Sequence, residues 1–291
     1  MNEYQKQEVQ WFPGHMAKTR RLIKENLTLV DAVTEIVDAR IPYASRNPEL
    51  DEIVSNKPRI VLLNKCDVAD DNITKQWIEY YKSRGIYALA VDCRSGKGVN
   101  NYISLVQKVL ADKIQSNIDK GMVGKALRVM VVGIPNTGKS SFINRMAGRN
   151  RAKVADKPGV TRQNQWFVIG KGIELLDTPG VLWPKFEDPN VGDRLAFTGA
   201  VKDEIMDIET LAMKLLDVLI EINPKCIEER YKITDFEDLD GYDTLELVGR
   251  KRGFLMSGGH INTERTAAMV LDEFRGGILG KISLETPDMM E

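Results

Sequence analysis

The chain has 291 residues, 43% hydrophobic and 29% charged, which is enough apolar surface for a packed core and excludes wholesale disorder. No apolar run approaches the roughly 20 residues that span a bilayer, and the opening MNEYQKQEVQ lacks the apolar stretch of a secretion signal. Cys66, Cys93 and Cys226 lie far apart in sequence without CxxC spacing, which disfavours a disulfide framework or structural zinc and fits a reducing cytoplasm.

The net charge of -1 conceals an asymmetry. Residues 1–200 carry 30 basic against 22 acidic side chains, residues 201–247 carry 5 against 14, and the remainder balances. Two bodies with different partners are expected.

In chain order, residues 17–29 read as a basic amphipathic helix with Leu22, Ile23 and Leu27 on one side. AVTEIVDA (32–39) and PRIVLLNK (58–65) read as strands, and a helix is expected from Asp71 to Arg84. IYALAVD (86–92) is a third strand, followed by one helix from Val99 to Ile118. LRVMVVG (127–133) is a β-branched strand entering a Gly-rich turn. A helix begins at Lys139, and strands follow around Trp166–Ile169 and Ile173–Leu176. This alternation implies an α/β fold, a mostly parallel sheet with helices on both faces. VLWPKFEDPNVGD reads as a connector, after which Ile208, Leu211, Leu215, Val218 and Leu219 form a helical stripe. Further helices are expected near 243–252 and 262–275. The organisation expected is a nucleotide-binding domain over 1–185, a linker over 186–202, a small all-α domain over 203–285 and a tail over 286–291.

GIPNTGKS (133–140) has the phosphate-loop pattern between a strand and a helix. The amides around Asn136, Thr137, Gly138 and Ser141 would wrap phosphates. Lys139 would reach the β- and γ-phosphates, and the Ser140 hydroxyl would ligate Mg²⁺. DTPG (177–180) ends a later strand, where Asp177 suits a water-mediated Mg²⁺ contact and the Gly180 amide can sense a γ-phosphate. Between them, Thr161 in PGVT is the candidate switch threonine, joining Mg²⁺ only when the γ-phosphate is present.

NKCD (64–67) indicates which base is bound. The Asp67 carboxylate can accept from the N1–H and exocyclic amine of guanine, a donor pair adenine lacks. Asn64 would tie the base loop to the phosphate loop, and Lys65 would lie over the base plane. DCRSGKG (92–98) occupies the place of a second base loop, with Asp92 and Cys93 at its start. The ligands implied are GTP or GDP with Mg²⁺, and an ATPase is disfavoured by Asp67.

NKCD precedes the phosphate loop, whereas ordinary Ras-like GTPases have the reverse order. That is a circular permutation, which a fold survives when cut at surface loops. The segment after DTPG then runs directly toward the helical domain, so nucleotide state should bear on residues 181–200.

WFPGHMAK, VDARIPYASRNPEL, NKCD, GIPNTGKSSFIN, KPGVTRQNQW and DTPGVLWP together resemble the circularly permuted GTPases of the YlqF/YawG family, over essentially the whole chain. The C-terminal run from Gly249 is similar to that family's helical RNA-binding domain. The resemblance implies a cytoplasmic, low-basal-rate GTPase acting late in large ribosomal subunit assembly. The large subunit and its rRNA would be partners, ribosomal proteins further candidates, a membrane would have no part, and a monomer is expected. Val181 stands where Ras-like proteins carry the water-orienting glutamine. His15 is a proposed catalytic group in the family; packing or capping beside Trp11 and Phe12 is the other reading. Asn136 implies K⁺ beside the phosphates, as in related GTPases, against the plain reading of an asparagine in a tight turn.

Arg40, Arg46 and SRNP (45–48) read as a structural loop near the nucleotide face. Lys18, Arg20, Arg21 and Lys24, the cluster from Arg149 to Arg162, and Arg250 to Arg252 are basic groups suited to RNA phosphates. His260 would meet RNA or solvent, and Trp166 is expected in the core. Two other functions fit the same residues: a regulatory GTPase with a protein partner, or a nucleotide-binding scaffold with little hydrolysis.

Overall fold

The computed structural model describes residues 21, 23–54, 57–148, 165–178, 180, 188–201, 207–236 and 238–290. The described residues divide into two compact units, one within 21–180 together with 285–290, the other within 188–284.

In the first unit the described residues build a six-stranded sheet of β1 (Ala32–Asp38), β2 (Arg59–Asn64), β3 (Tyr87–Ala90), β4 (Leu127–Val132), β5 (Gln165–Ile169) and β6 (Ile173–Asp177). Their order across the sheet is β3-β2-β1-β4-β6-β5, with only β5 antiparallel. β1 to β3 step outward one way, then the chain returns to place β4 beside β1 and builds the other way. β1 and β4 therefore flank the point where strand order reverses, where the carboxyl ends of an open α/β sheet leave a ligand crevice. Asp38, Asn64, Gly133 and Asp177 all stand at or just past those carboxyl ends.

Strand alternation buries both faces. Ala32 and Ile36 of β1 join Leu62, Val129 and Val131 in packing against Tyr102, Val106, Phe142 and Ile143. Val33, Met130, Val132 and Leu176 point the other way onto Ile23, Leu27 and Leu50, and Val37, Val61 and Leu63 pack on Trp77 and Tyr81. Thr34 and Glu35 of β1 survive burial because each is partnered. Thr34 shares a 2.8 Å hydrogen bond with the Tyr102 hydroxyl. Glu35 accepts from Arg59 at 2.8 Å and from the Asn47 amide at 3.0 Å.

The single helix expected from Val99 to Ile118 is broken. A 3-10 turn leads into Tyr102–Val109, and Ala111–Asp119 follows across Leu110, which leaves helical geometry at φ -104° and ψ 21°. No Gly or Pro marks the break. Trp166, expected in the core, is 41% exposed, because β5 is an edge strand and its inward alternate is Phe167. The indole lies instead under the Arg128 guanidinium, 5.1 Å from the ring centroid.

The second unit is helical: Pro189–Phe197, Ile208–Ile222, Pro224–Tyr231, Gly241–Lys251 and Thr263–Arg275. Pro189–Phe197 falls where the Pro and Asp content suggested a connector. Those same residues start it, Asp188 capping the Asn190 amide and proline at the first position, where no N–H is needed. Pro224–Tyr231 escapes a periodicity scan because it is only eight residues long. The central helix buries Leu211, Ala212, Leu215, Leu216 and Leu219, while Ile208 and Val218 are only half-buried. Asp207, Asp240 and Asn262 cap the helices that follow them. Among the described residues no helix is long and apolar enough to cross a membrane.

Candidate functional site: a phosphate loop joined to two base loops

The loop after β4 turns through backbone that L side chains rarely adopt: φ is +154° at Gly133, +60° at Asn136 and +99° at Gly138. Only glycine fits at 138, where a Cβ would stand 2.1 Å from the Asn64 amide nitrogen. Thr137 is buried, and its hydroxyl donates to the Ile134 carbonyl at 2.9 Å, closing the loop on itself. Lys139, Ser140 and Ser141 form the first turn of the helix Lys139–Ala147, which carries no acidic residue there. That turn presents amides without helical partners and a positive dipole end.

The Lys139 side chain is buried, and burial pushes its ammonium below the ordinary lysine value, with Asp177 offsetting part of that. A Cβ at Gly180 would lie 3.1 Å from the Lys139 ammonium and 3.1 Å from the Pro135 nitrogen, so glycine keeps that space clear. A desolvated cation and a helix start free of acids fit a polyphosphate anion. Asp177 is buried at the end of β6, and the adjacent Thr178 hydroxyl donates to the Val131 carbonyl at 2.8 Å, docking DTPG on the phosphate-loop strand. With Ser140, this donor set suits Mg²⁺, which is held through few protein oxygens and the substrate's phosphates.

Asn64 joins three loops. Its Nδ2 donates to the Thr137 carbonyl at 2.6 Å and its Oδ1 accepts from the Cys93 amide at 3.0 Å. Asp92 builds the second base loop internally: its carboxylate accepts from the amides of Arg94 at 2.7 Å and Ser95 at 3.1 Å. Those bonds outweigh burial and hold the Asp92 carboxyl below the usual range. Cys93 is buried, its thiol pushed up to about 12 by burial, so it is an inert packing residue. Arg145 adds a tie not foreseen from sequence, donating from the phosphate-loop helix to the carbonyls of Cys93 (3.4 Å) and Arg94. Asp67 is exposed just beyond β2.

Lys65 has a left-handed backbone (φ +61°), and its ammonium contacts the Asp38 carboxylate at 2.9 Å. Asp38 also receives Arg40, whose backbone N–H and Nε donate to Oδ1 at 3.0 Å while a terminal nitrogen donates to Oδ2 at 2.8 Å. Burial alone would push the Asp38 carboxyl up; Arg40 and Lys65 outweigh it and hold it well below the usual carboxylate range. Arg46 is likewise spent structurally, on Asp51 at 2.7 Å and Glu35 at 3.5 Å.

Removing one partner of such a buried pair strands the other, so Arg40→Met is expected to lower unfolding free energy by roughly 3–5 kcal/mol at pH 7. The folded Asp38 pKa lies below the ordinary 3.8, so its contribution is complete above about pH 4 and is lost as pH falls through the folded value. Urea denaturation at pH 7 and pH 3 checks this. The gap between wild type and Arg40→Met should narrow at the lower pH, and a gap that widens would contradict the pairing.

His15, Thr161 and Val181, the basic residues Lys18 and Arg20, and the cluster from Arg149 to Arg162 lie outside the described residues. Arg21, Lys24, Arg250, Lys251 and His260 are exposed. Arg252 is half-buried, its guanidinium 5.3 Å from the Tyr231 ring centroid.

A phosphate loop at the sheet's reversal point, with NKCD preceding it in the chain yet bonded to it in space, defines a circularly permuted P-loop GTPase. The family described as 50S ribosome-binding GTPase matches residues 128–243. Ribosome biogenesis GTPase A of Bacillus cereus is 47% identical over 96% of this chain and 94% of its own. Its namesake in Priestia megaterium is 48% identical over 97% and 98%. A GDP-bound YlqF structure is similar at TM-score 0.66 and 29% identity, over 92% of this chain and all of that one. GNP-bound YlqF from T. maritima is similar at TM-score 0.64, 29% identity and 93% and 99% coverage. The chain belongs to the ribosome biogenesis GTPase A (YlqF) family and is a GTPase.

Proposed function

We propose that the protein is a GTP-driven switch in ribosome assembly that binds the maturing large subunit and its rRNA at a late step, with hydrolysis stimulated by the particle. The observation that carries this reading is near-full-length similarity, at close to half identity, to relatives named for ribosome biogenesis. It acts in the cytoplasm as a monomer, with ribosomal proteins as further contacts.

In this reading Asn64 holds the base loops to the phosphate loop, Asp67 reads guanine, and Lys65 covers the base beside the loop begun by Asp92 and Cys93. Thr137, Gly138 and Ser141 contribute amides around the phosphates, and Lys139 neutralises them. Ser140, Asp177 and Thr161 would hold Mg²⁺, which when bound supplies charge neutralisation between the β- and γ-phosphates. Gly180 senses the γ-phosphate. With Val181 unable to orient water, His15 takes that task, and Asn136 would hold K⁺ beside the phosphates.

GTP turnover in KCl and in NaCl, each with and without large ribosomal subunits, tests the proposal with wild type and His15→Ala. Subunits are expected to stimulate wild type, by roughly tenfold or more in KCl and far less in NaCl. His15→Ala should lose the stimulated rate while still binding GTP. Subunits that neither bind nor stimulate the GTP form would shift the reading to a protein-directed switch. Binding without turnover, even in a single cycle, would make the protein a scaffold.

A further inference from the structure

We propose that Glu285 is a positioning residue for Lys65 in the base pocket, acting through the turn that follows β1. The inference rests on the reading of NKCD as the guanine site.

Residues 285–290 belong to the same compact unit as the sheet, although 99 residues of the other unit separate them from 185. Glu285 is fully buried. Its carboxylate accepts from the Tyr43 amide at 2.6 Å and from the Ala44 amide at 3.1 and 3.2 Å, and its backbone carbonyl accepts from the Trp77 indole at 3.1 Å. Met290 packs beside Trp77 and Tyr81.

Burying a carboxylate is costly unless its oxygens are satisfied, and successive backbone amides in a turn form a concavity suited to an anion. Here that turn leads back to the nucleotide side. Ser45, next to Ala44, donates its amide at 2.9 Å and its hydroxyl at 2.6 Å to the Ile41 carbonyl, and Ser45 Oγ accepts from the Asp38 amide at 2.9 Å. Asp38 is the carboxylate that Arg40 grips and that holds the Lys65 ammonium. Ala44, Ser45, Asp38 and Arg40 are all buried, so water does not reach the bonds among them. Removing the Glu285 carboxylate orphans two amides, loosens the 41–46 turn and frees Asp38 to shift, which lets Lys65 leave its place. The far end of the chain thereby sets the geometry of a loop read 220 residues earlier.

The test is a double-mutant cycle on the full chain, reading affinity for a fluorescent GDP analogue. The variants are Glu285→Ala, Glu285→Gln, Lys65→Met and the Glu285→Ala/Lys65→Met pair. Glu285→Ala is expected to weaken binding roughly 5- to 10-fold, and Glu285→Gln, which keeps one acceptor oxygen, about 2- to 3-fold. In the Lys65→Met background the same Glu285→Ala change should cost less than about 2-fold. Full, additive losses would overturn the proposal, because Glu285 would then act on the fold generally. If Glu285→Ala does not fold, the cycle runs on Glu285→Gln, whose roughly 2- to 3-fold cost should disappear in the Lys65→Met background and would overturn the proposal if it persists in full. Lys65→Met with unchanged affinity would overturn the base-site reading itself, which Asp67→Asn tests separately.

Discussion

Lys139→Met is expected to lower kcat/KM for GTP by roughly 10²–10³-fold, the scale of losing one preorganised charge on a phosphoryl-transfer path. The Lys139 ammonium is buried and destabilised by that burial, with Asp177 only partly compensating. Polyphosphate oxygens are what such a cation lacks, so much of its stabilisation appears only when the nucleotide is bound. The same logic sets the sign of a second effect. Methionine fills similar volume without the buried charge, so the nucleotide-free variant should melt no lower than wild type. Excess GDP should stabilise wild type by about 2.7 kcal/mol at a hundredfold excess over Kd and stabilise the variant far less. Thermal melts with and without GDP, beside steady-state turnover, separate these effects. A variant that keeps its GDP shift would show that Lys139 is not a phosphate ligand.

Asp67→Asn is expected to exchange guanine for xanthine. The carboxylate is an acceptor only, matched to the two donors on guanine's edge, and it stands exposed at the end of the base loop. An amide offers one acceptor and one donor, which fits xanthine, where a carbonyl replaces the exocyclic amine. Losing two charge-assisted hydrogen bonds, with one guanine donor then facing another donor, should cost GDP on the order of 10³-fold in affinity while XDP gains. Competition of GDP, XDP and ADP against one labelled nucleotide reads the exchange directly. Equal loss for all three would place Asp67 in the loop's structure and not in base selection.

Asn64 is the residue where sequence reading and structure meet most closely. Its expected role, joining the base loop to the phosphate loop, corresponds to the 2.6 Å bond to Thr137, and the bond to Cys93 extends the tie to the second base loop. Asp92 differs: its carboxylate is occupied by the amides of its own loop. Arg145, Asp38 and Glu285 carried no recognisable sequence signal. Arg145 looks like any charged helix residue. Asp38 reads in the sequence only as the end of a strand. The partners of Glu285 are about 240 residues away.

The difference has a physical origin. Phosphate-loop chemistry depends on a few consecutive residues whose glycines, lysine and hydroxyls act through local backbone geometry, so spacing alone makes it legible. Strand alternation, helix caps and the permuted motif order are local in the same sense. The Leu110 break, the exposure of Trp166 and the linkage from Glu285 to Lys65 depend on which strand ended at the sheet edge and where the chain came back. Those are consequences of long-range packing, in which burial decides the partner of each charge, and no window of sequence contains both partners.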